Sequence, residues 1–180
     1  MDNNSELHFF SCEKKYGELS NFYVLNKPII YQAMVYETSE HLYHALKYLE
    51  DPTVINLEFA DVIRKAKTPY MAKILAKQKC GDTYKWRLDL NKTIKKYQEL
   101  GAKPISNLDQ RKIELMKRCL VLKFETDLHC KNILLSTGNK VLVEASPYDT
   151  FWGRMHGKGR NELGKLLMQI RSEIQSTFDT

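Results

Sequence analysis

Residues 38–50 read TSEHLYHALKYLE, and their period sets the class of fold. Leu42, Ala45, Leu46 and Leu49 recur at helical spacing, so the stretch is a helix with one face bound for a core. Thr38 or Ser39 supplies the N-cap, and Glu40 places an acid in the first turn, where the helix dipole favours it. Glu40, His44 and Lys47 fall at i, i+4 and i+7 on the opposite stripe, with Tyr43 beside them. As a solvated face, that stripe is an ion-pair ladder contributing roughly a few tenths of a kcal/mol per pair. As the wall of a cleft, it is an acid, an imidazole and an amine held in a rigid row. These residues alone leave both readings open.

Outward from this helix the chain alternates short strands with more helices. ELHFFSCE reads as a first strand, KKYGELSNF as a turn-rich segment, and KPIIYQAMVYET as a hairpin. Downstream, Asp51 and Pro52 read as N-cap and first residue of TVINLEFADVIRKAK, and Thr68-Pro69 opens PYMAKILAKQK, which Gly81 stops. Residues 82–106, with Trp86, are the least regular and read as a surface insertion. Asn107 or Asp109 opens QRKIELMKRCLVLKFE; KNILLST before Gly138 is a short helix and KVLVEAS a strand. NELGKLLMQIRSEIQSTF closes as a helix with Leu163, Leu166, Leu167 and Ile170 on one stripe. Met34, Met71 and Met116 are expected in the core. The sum is one domain over residues 1–180, α+β and helix-rich, with a small β-sheet.

A chain of 180 residues with 43% hydrophobic content buries a core without staples. No apolar run approaches the roughly 18 residues of a membrane helix, and the acidic, polar start is no signal peptide. Cys12, Cys80, Cys119 and Cys130 lie far apart without a CxxC pair, which points to reduced thiols and a cytoplasmic compartment, the nucleus being the alternative. The net charge of +6 favours a polyanionic partner such as nucleic acid or a nucleotide, and plain solubility accounts for it equally well.

Four of the eight glycines sit within residues 149–164, DTFWGRMHGKGRNELG. Gly157, Lys158, Gly159, Arg160 and Asn161 run into the last helix, a pattern that suits a phosphate cradle at a helix N-terminus and equally a structural turn. The spacing matches neither a Walker loop nor a dinucleotide fingerprint. Asp149 and Trp152 place a carboxylate beside an indole, for a sugar and a flat ring, or for a turn cap and a core filler. His156 is a donor to an anion or an exposed ring.

Taken together and in order, KYGELSNFYVLNKPI, YETSEHLYHALKY, ELMKRCLVLKF, DTFWG and GKGRNELGKLLMQIR resemble the NADAR (YbiA-like) family. The matching residues are Tyr16, Gly17, Ser20, Asn21, Phe22, Ser39, Glu40, His41, Lys47, Met116, Lys123, Phe124, Asp149, Trp152, Gly153, Gly159, Asn161, Gly164 and Arg171, spread over about residues 8–175. Two departures stand out. The family's Gln-Ala-Gln-Lys reads His44-Ala45-Leu46-Lys47, and Leu108 stands where a Trp is common.

The resemblance implies a NADAR/YbiA-like fold and N-glycosidase activity without metal or cofactor. The implied substrate is ADP-ribosylated guanine, as a nucleotide or in nucleic acid, or a riboflavin-pathway intermediate; a non-catalytic ADP-ribose or nucleic-acid reader is the reading from another class. Glu40, Lys47 and Asp149 become catalytic candidates. Tyr16, Ser20, Asn21, Phe22, His44, Trp152, Gly153, His156, Gly157, Lys158, Gly159 and Asn161 become candidates for binding substrate. The chemistry suits them: breaking a ribose–nitrogen bond builds oxocarbenium-like charge, which a fixed carboxylate such as Glu40 stabilises. Lys47 serves as proton donor or as an attacking amine, and Glu40 and Trp152 are expected to serve one pocket.

Overall fold

The computed structural model describes residues 5–77, 88–154 and 156–177. In chain order these form strand β1 (Glu6–Phe9), a single 3-10 turn (Gly17–Leu19), β2 (Ile29–Tyr31), β3 (Met34–Tyr36), and helices α1 (Ser39–Leu49), α2 (Val54–Arg64), α3 (Pro69–Ala76), α4 (Leu88–Glu99), α5 (Leu108–Thr126) and α6 (Leu128–Ser136). Strand β4 (Val141–Glu144) and helix α7 (Glu162–Ser176) follow. This is the expected helix-rich α+β class, with the strands divided between two two-stranded sheets. Among the described residues no helix is long and apolar enough to cross a membrane. The chain divides into two compact units, one of Ile29–Cys119, the other of the residues up to Pro28 with those from Leu120 onward.

In the Ile29–Cys119 unit, α1 packs against α2, α3 and β3. Every residue from Ser39 to Tyr48 is buried, so α1 is covered on its polar stripe as well as its apolar one. Its start is fixed by Thr38, whose hydroxyl accepts the His41 N–H and donates to His41 Nδ1 at 2.8 Å. The other ring nitrogen, Nε2, donates to the Ala66 carbonyl at 3.0 Å. His41 thus ties α1 to the end of α2, and burial lowers its pKa, keeping the ring neutral. At the other end Tyr48 donates to the Ala76 carbonyl at the close of α3 and meets Phe59 edge-on, while Phe59 stacks on Tyr97 of α4. Glu50, just after α1, receives Arg111 at 2.6 Å and Arg118 at 2.5 Å, both from α5.

Three expectations change here. Helix α2 starts at Val54 under a Thr53 cap, not at Asp51-Pro52, because the Thr53 hydroxyl is the group that accepts the Asn56 N–H. The irregular stretch contains α4, whose Leu90, Ile94 and Tyr97 are buried at helical spacing. Its mean polarity hid that stripe; Gly81 and Trp86 lie outside the described residues. Of the three methionines, Met116 is buried at 2%, whereas Met34 is 48% exposed on the hairpin and Met71 is half-buried.

In the other unit, β1 and β4 pair in parallel, from Glu6 opposite Val141 to Phe9 opposite Glu144, and α7 covers β4. The Asn161 side chain donates to the Leu142 carbonyl at 2.9 Å and accepts the Glu144 N–H at 3.0 Å, standing where a further strand would pair. Asp127 caps α6 through the Cys130 N–H and also accepts the Asn26 N–H at 2.7 Å. Lys123, fully buried, donates to the Ser20 carbonyl at 2.8 Å. Arg171 of α7 donates to Thr137 and to the Lys140 carbonyl at 2.7 and 3.0 Å.

Gly164 lies where α7 crosses β4, and a Cβ there would overlap the Leu142 carbonyl oxygen and the Asn161 amide. Gly164→Ala is therefore expected to lower stability by about 1–3 kcal/mol through a forced backbone shift, read as an earlier urea midpoint with unchanged slope.

Candidate active site

The Glu40–His44–Lys47 stripe is a continuous hydrogen-bonded row. His44 Nε2 lies 2.9 Å from Glu40 Oε1, and its Nδ1 lies 3.0 Å from Lys47 Nζ. The three residues are 6%, 4% and 9% exposed, so the solvated ladder is not what forms: the row is built inside the packing of α1. Lys47 Nζ also stands 4.5 Å from the centre of the Tyr43 ring, which in turn meets His44 edge-on.

Burial sets the charges. Burial penalises the Glu40 carboxylate, but His44, Lys73 and Lys47 outweigh it and hold its pKa below the usual value. Burial, and then the positive charge of Lys47, pushes His44 down to about 4 against the pull of Glu40. Lys47 is brought down to about 8, first by burial and then by Lys73 and Lys77, with Glu40 opposing. Near neutral pH the row is a carboxylate, a neutral imidazole and an ammonium. A carboxylate only accepts and an ammonium only donates, so the ring carries its proton on Nε2, donates to Glu40 and accepts from Lys47. Both ring nitrogens are engaged within the helix, so His44 has no ring nitrogen to offer a substrate while the row stands. Lys73 was not legible as a member of this environment. Its place comes from the packing of α3 on α1, which no spacing within one helix reveals.

The second group of candidates belongs to the other unit. Asp149 Oδ1 accepts the N–H groups of Phe151 and Trp152 at 2.9 and 2.8 Å, a turn cap of the kind the sequence allowed. Trp152 is half-buried and lies edge-on to Phe151, over which the Arg160 guanidinium sits at 4.6 Å. Gly153 is buried, and a Cβ on it would come 2.7 Å from the Glu144 carbonyl oxygen. His156, Gly157, Lys158 and Gly159 are exposed, and His156 takes a left-handed backbone at φ 46°.

Of the two readings open for the start of α7, the structure has the structural turn and not the helix-terminus anion cradle. The N–H groups of Arg160, Asn161, Glu162 and Leu163 donate to the carbonyls of Thr150, Gly153, Phe151 and Trp152. The helix N-terminus is capped by its own preceding loop, and the Asn161 amide is occupied on β4. The glycines are what let this loop close: Gly159, at φ 137°, has a Cβ position overlapping the Gly153 carbonyl oxygen. Among the remaining candidates, Tyr16 has a left-handed backbone at φ 62°, the Ser20 hydroxyl accepts the Phe22 N–H at 3.2 Å, Asn21 is buried and Phe22 half-buried.

Comparison with known proteins agrees with the resemblance those segments carry. The NADAR domain model matches residues 8–175. N-glycosidase YbiA of Escherichia coli (strain K12) is 30% identical over 169 residues, spanning 93% of this chain and 88% of that protein. An N-glycosidase of Nostoc punctiforme is 33% identical over 173 residues, 94% of this chain and 93% of its own. The chloroplastic riboflavin biosynthesis protein PYRR of Zea mays is 37% identical over 141 residues, which is 78% of this chain and 20% of that protein. The NMR structure of the E. coli protein YbiA matches with a TM-score of 0.71 at 26% identity, covering 98% of this chain and 89% of that one. The chain belongs to the NADAR domain family, among N-glycosidases of the YbiA type.

Proposed function

We propose that the chain hydrolyses a ribose–nitrogen bond and that its substrate is ADP-ribosylated guanine in nucleic acid. The observation that carries this reading is the buried row of α1, with an ionised carboxylate at one end and an amine at the other. A carboxylate fixed on a buried helix, facing the anomeric carbon, stabilises positive charge as the base departs, and it does so without reorganising at the moment of reaction. The departing nitrogen takes the bonding electron pair and needs a proton. Two states of Lys47 fit: the ammonium donates that proton, or the free amine attacks C1 and holds the sugar until water releases it.

The other candidates take supporting roles. Asp149, with Oδ1 occupied by two N–H groups, offers Oδ2 to a ribose hydroxyl or to water. Trp152 stacks on a flat ring, and His156, Lys158 and the exposed backbone of Gly157 and Gly159 meet the diphosphate. The net charge of +6 favours a nucleic-acid substrate. A riboflavin-pathway intermediate is the second reading, favoured by the 37% identity to the maize riboflavin biosynthesis protein.

Incubation of the purified chain with DNA carrying ADP-ribosylated guanine, and separately with the riboflavin-pathway intermediate, distinguishes the two. Release of ADP-ribose from the DNA is expected; turnover of the second substrate alone assigns the chain to riboflavin chemistry. Binding of ADP-ribosylated DNA without product from the wild-type chain identifies a reader instead of an enzyme. Glu40→Gln is expected to cut kcat at least about a hundredfold while leaving affinity for substrate in place. Trp152→Ala is expected to act oppositely, raising KM by about tenfold or more with kcat little changed, as loss of a stacking surface does.

A further inference from the structure

The reaction as proposed uses Glu40 and Lys47 and leaves unexplained the ring that joins them. An imidazole between a carboxylate and an amine holds its single proton on either nitrogen. With the proton on Nε2, Glu40 is ionised and Lys47 is an ammonium. With it on Nδ1, Glu40 is a neutral acid donating to Nε2, and Lys47 is a free amine accepting from Nδ1. Both arrangements contain the same number of protons. They interconvert when Lys47 passes a proton to Nδ1 and Nε2 passes its own to Glu40, along the contacts of 3.0 and 2.9 Å.

We propose that His44 is a positioning residue that relays a proton from Lys47 to Glu40, producing a neutral Lys47 amine and a protonated Glu40 in one move. The inference rests on the N-glycosidase reading of this row. The relayed state is the one a transfer needs: Lys47 Nζ bonds to C1 as the C1–N bond to the base breaks, and the base nitrogen takes the electron pair and the Glu40 proton. Glu40 is then ionised and the positive charge sits on the Lys47 nitrogen. Water afterwards adds at C1 and gives a proton to Glu40 as the Lys47–C1 bond breaks and the electron pair returns to the Lys47 nitrogen; the relay run in reverse then restores the ammonium and the ionised carboxylate.

The surroundings favour such an exchange. A buried carboxylate and ammonium are costly to keep charged, and the relay neutralises both together. Among the described residues, the charged and titratable groups facing the row include His41 and Tyr43 of α1 itself, Lys73 of α3 with Lys77 just after it, and the Cys119 thiol from α5. The other elements packed on α1 carry Asp61 and Arg64 in α2, which pair with each other, and Tyr36 in β3, which lies in the field of that pair. The low pKa of His44, about 4, keeps the ring from trapping the proton as imidazolium.

Glutamine in place of His44 keeps an N–H donor for Glu40 and an oxygen acceptor for Lys47, but an amide conducts no proton. Reductive methylation of the full chain with formaldehyde and cyanoborohydride reports on the free amine, and peptide mass spectrometry reads Lys47 by itself. In the wild type, the Lys47 rate is expected to level off as pH falls from about 8 to about 6, whereas in His44→Gln it keeps falling about tenfold per pH unit. The exposed lysines read from the same digests serve as the internal reference for reagent and pH. Parallel slopes for Lys47 would overturn the relay. A second measurement needs no variant: long-range proton–nitrogen NMR of wild-type His44 near neutral pH is expected to show the Nε2–H tautomer. An imidazolium there would overturn it, because a ring that holds both protons passes none on. Neither measurement uses a glycoside, so a chain that cleaves none of the substrates tested would sink the functional reading and leave the relay to be judged by itself.

Discussion

Everything distinctive about the Ile29–Cys119 unit depends on one constraint: α1 is buried on all sides, and the acid, imidazole and amine of its polar stripe are buried with it. A half-buried helix leaves its polar stripe to water. Here α2, α3 and β3 close over α1, so Glu40, His44 and Lys47 must satisfy one another. The burial of unpaired charge costs several kcal/mol per ion, so the row exists only with all its hydrogen bonds made. The same closure lowers the amine's pKa and strips competing water from the carboxylate. The packing that makes the row expensive is what makes it chemically useful.

The second unit solves a different problem, the close approach of backbone to backbone. Gly164 lets α7 lie against β4, Gly159 lets the loop after Trp152 fold under the helix start, and Asn161 presents an amide to β4 as though it were another strand. Gly153, Gly159 and Gly164 thus serve closure of the loop on α7 and β4, while Gly157 has open space around it. Asp149 tightens the same loop by holding the Phe151 and Trp152 N–H groups, which sets the half-buried indole. Rigid loops of this kind suit a stacking surface, because the ring is held before a ligand arrives.

Much of this was legible in the chain itself. The period of α1 and α7, the Thr38 and Thr68 caps, the hairpin Ile29–Tyr36 and the Gly138 stop are local signals, and the structure follows them. The site motifs were legible as a set, because their order along the chain is more specific than any single one. What sequence did not carry is whatever depends on neighbours distant in the chain. The stripe of α1 read as a solvated face or as the wall of a cleft, since nothing within residues 38–50 announces that α3 covers it. Residues 88–99 read as irregular, since three apolar positions among many polar ones become a stripe only against Phe59. The start of α7 read equally as an anion cradle or a structural turn, since the carbonyls that occupy its N–H groups come from the preceding loop folding back.

Two buried lysines show why partners, more than burial, separate a reactive group from a strut. Lys123 and Lys47 are each brought to about 8, and in each the first cause is burial. Lys123 donates to the Ser20 carbonyl, a group that neither titrates nor moves charge, and so holds the turn before Phe22 in place. Lys47 donates to an imidazole whose far side meets a carboxylate. A carbonyl cannot take up the proton of the amine it accepts from. An amine beside a ring backed by a carboxylate has somewhere to send its proton without opening the fold. That difference in the neighbour, not in the depth of burial, is what singles out Lys47 over Lys123 in the proposed reaction.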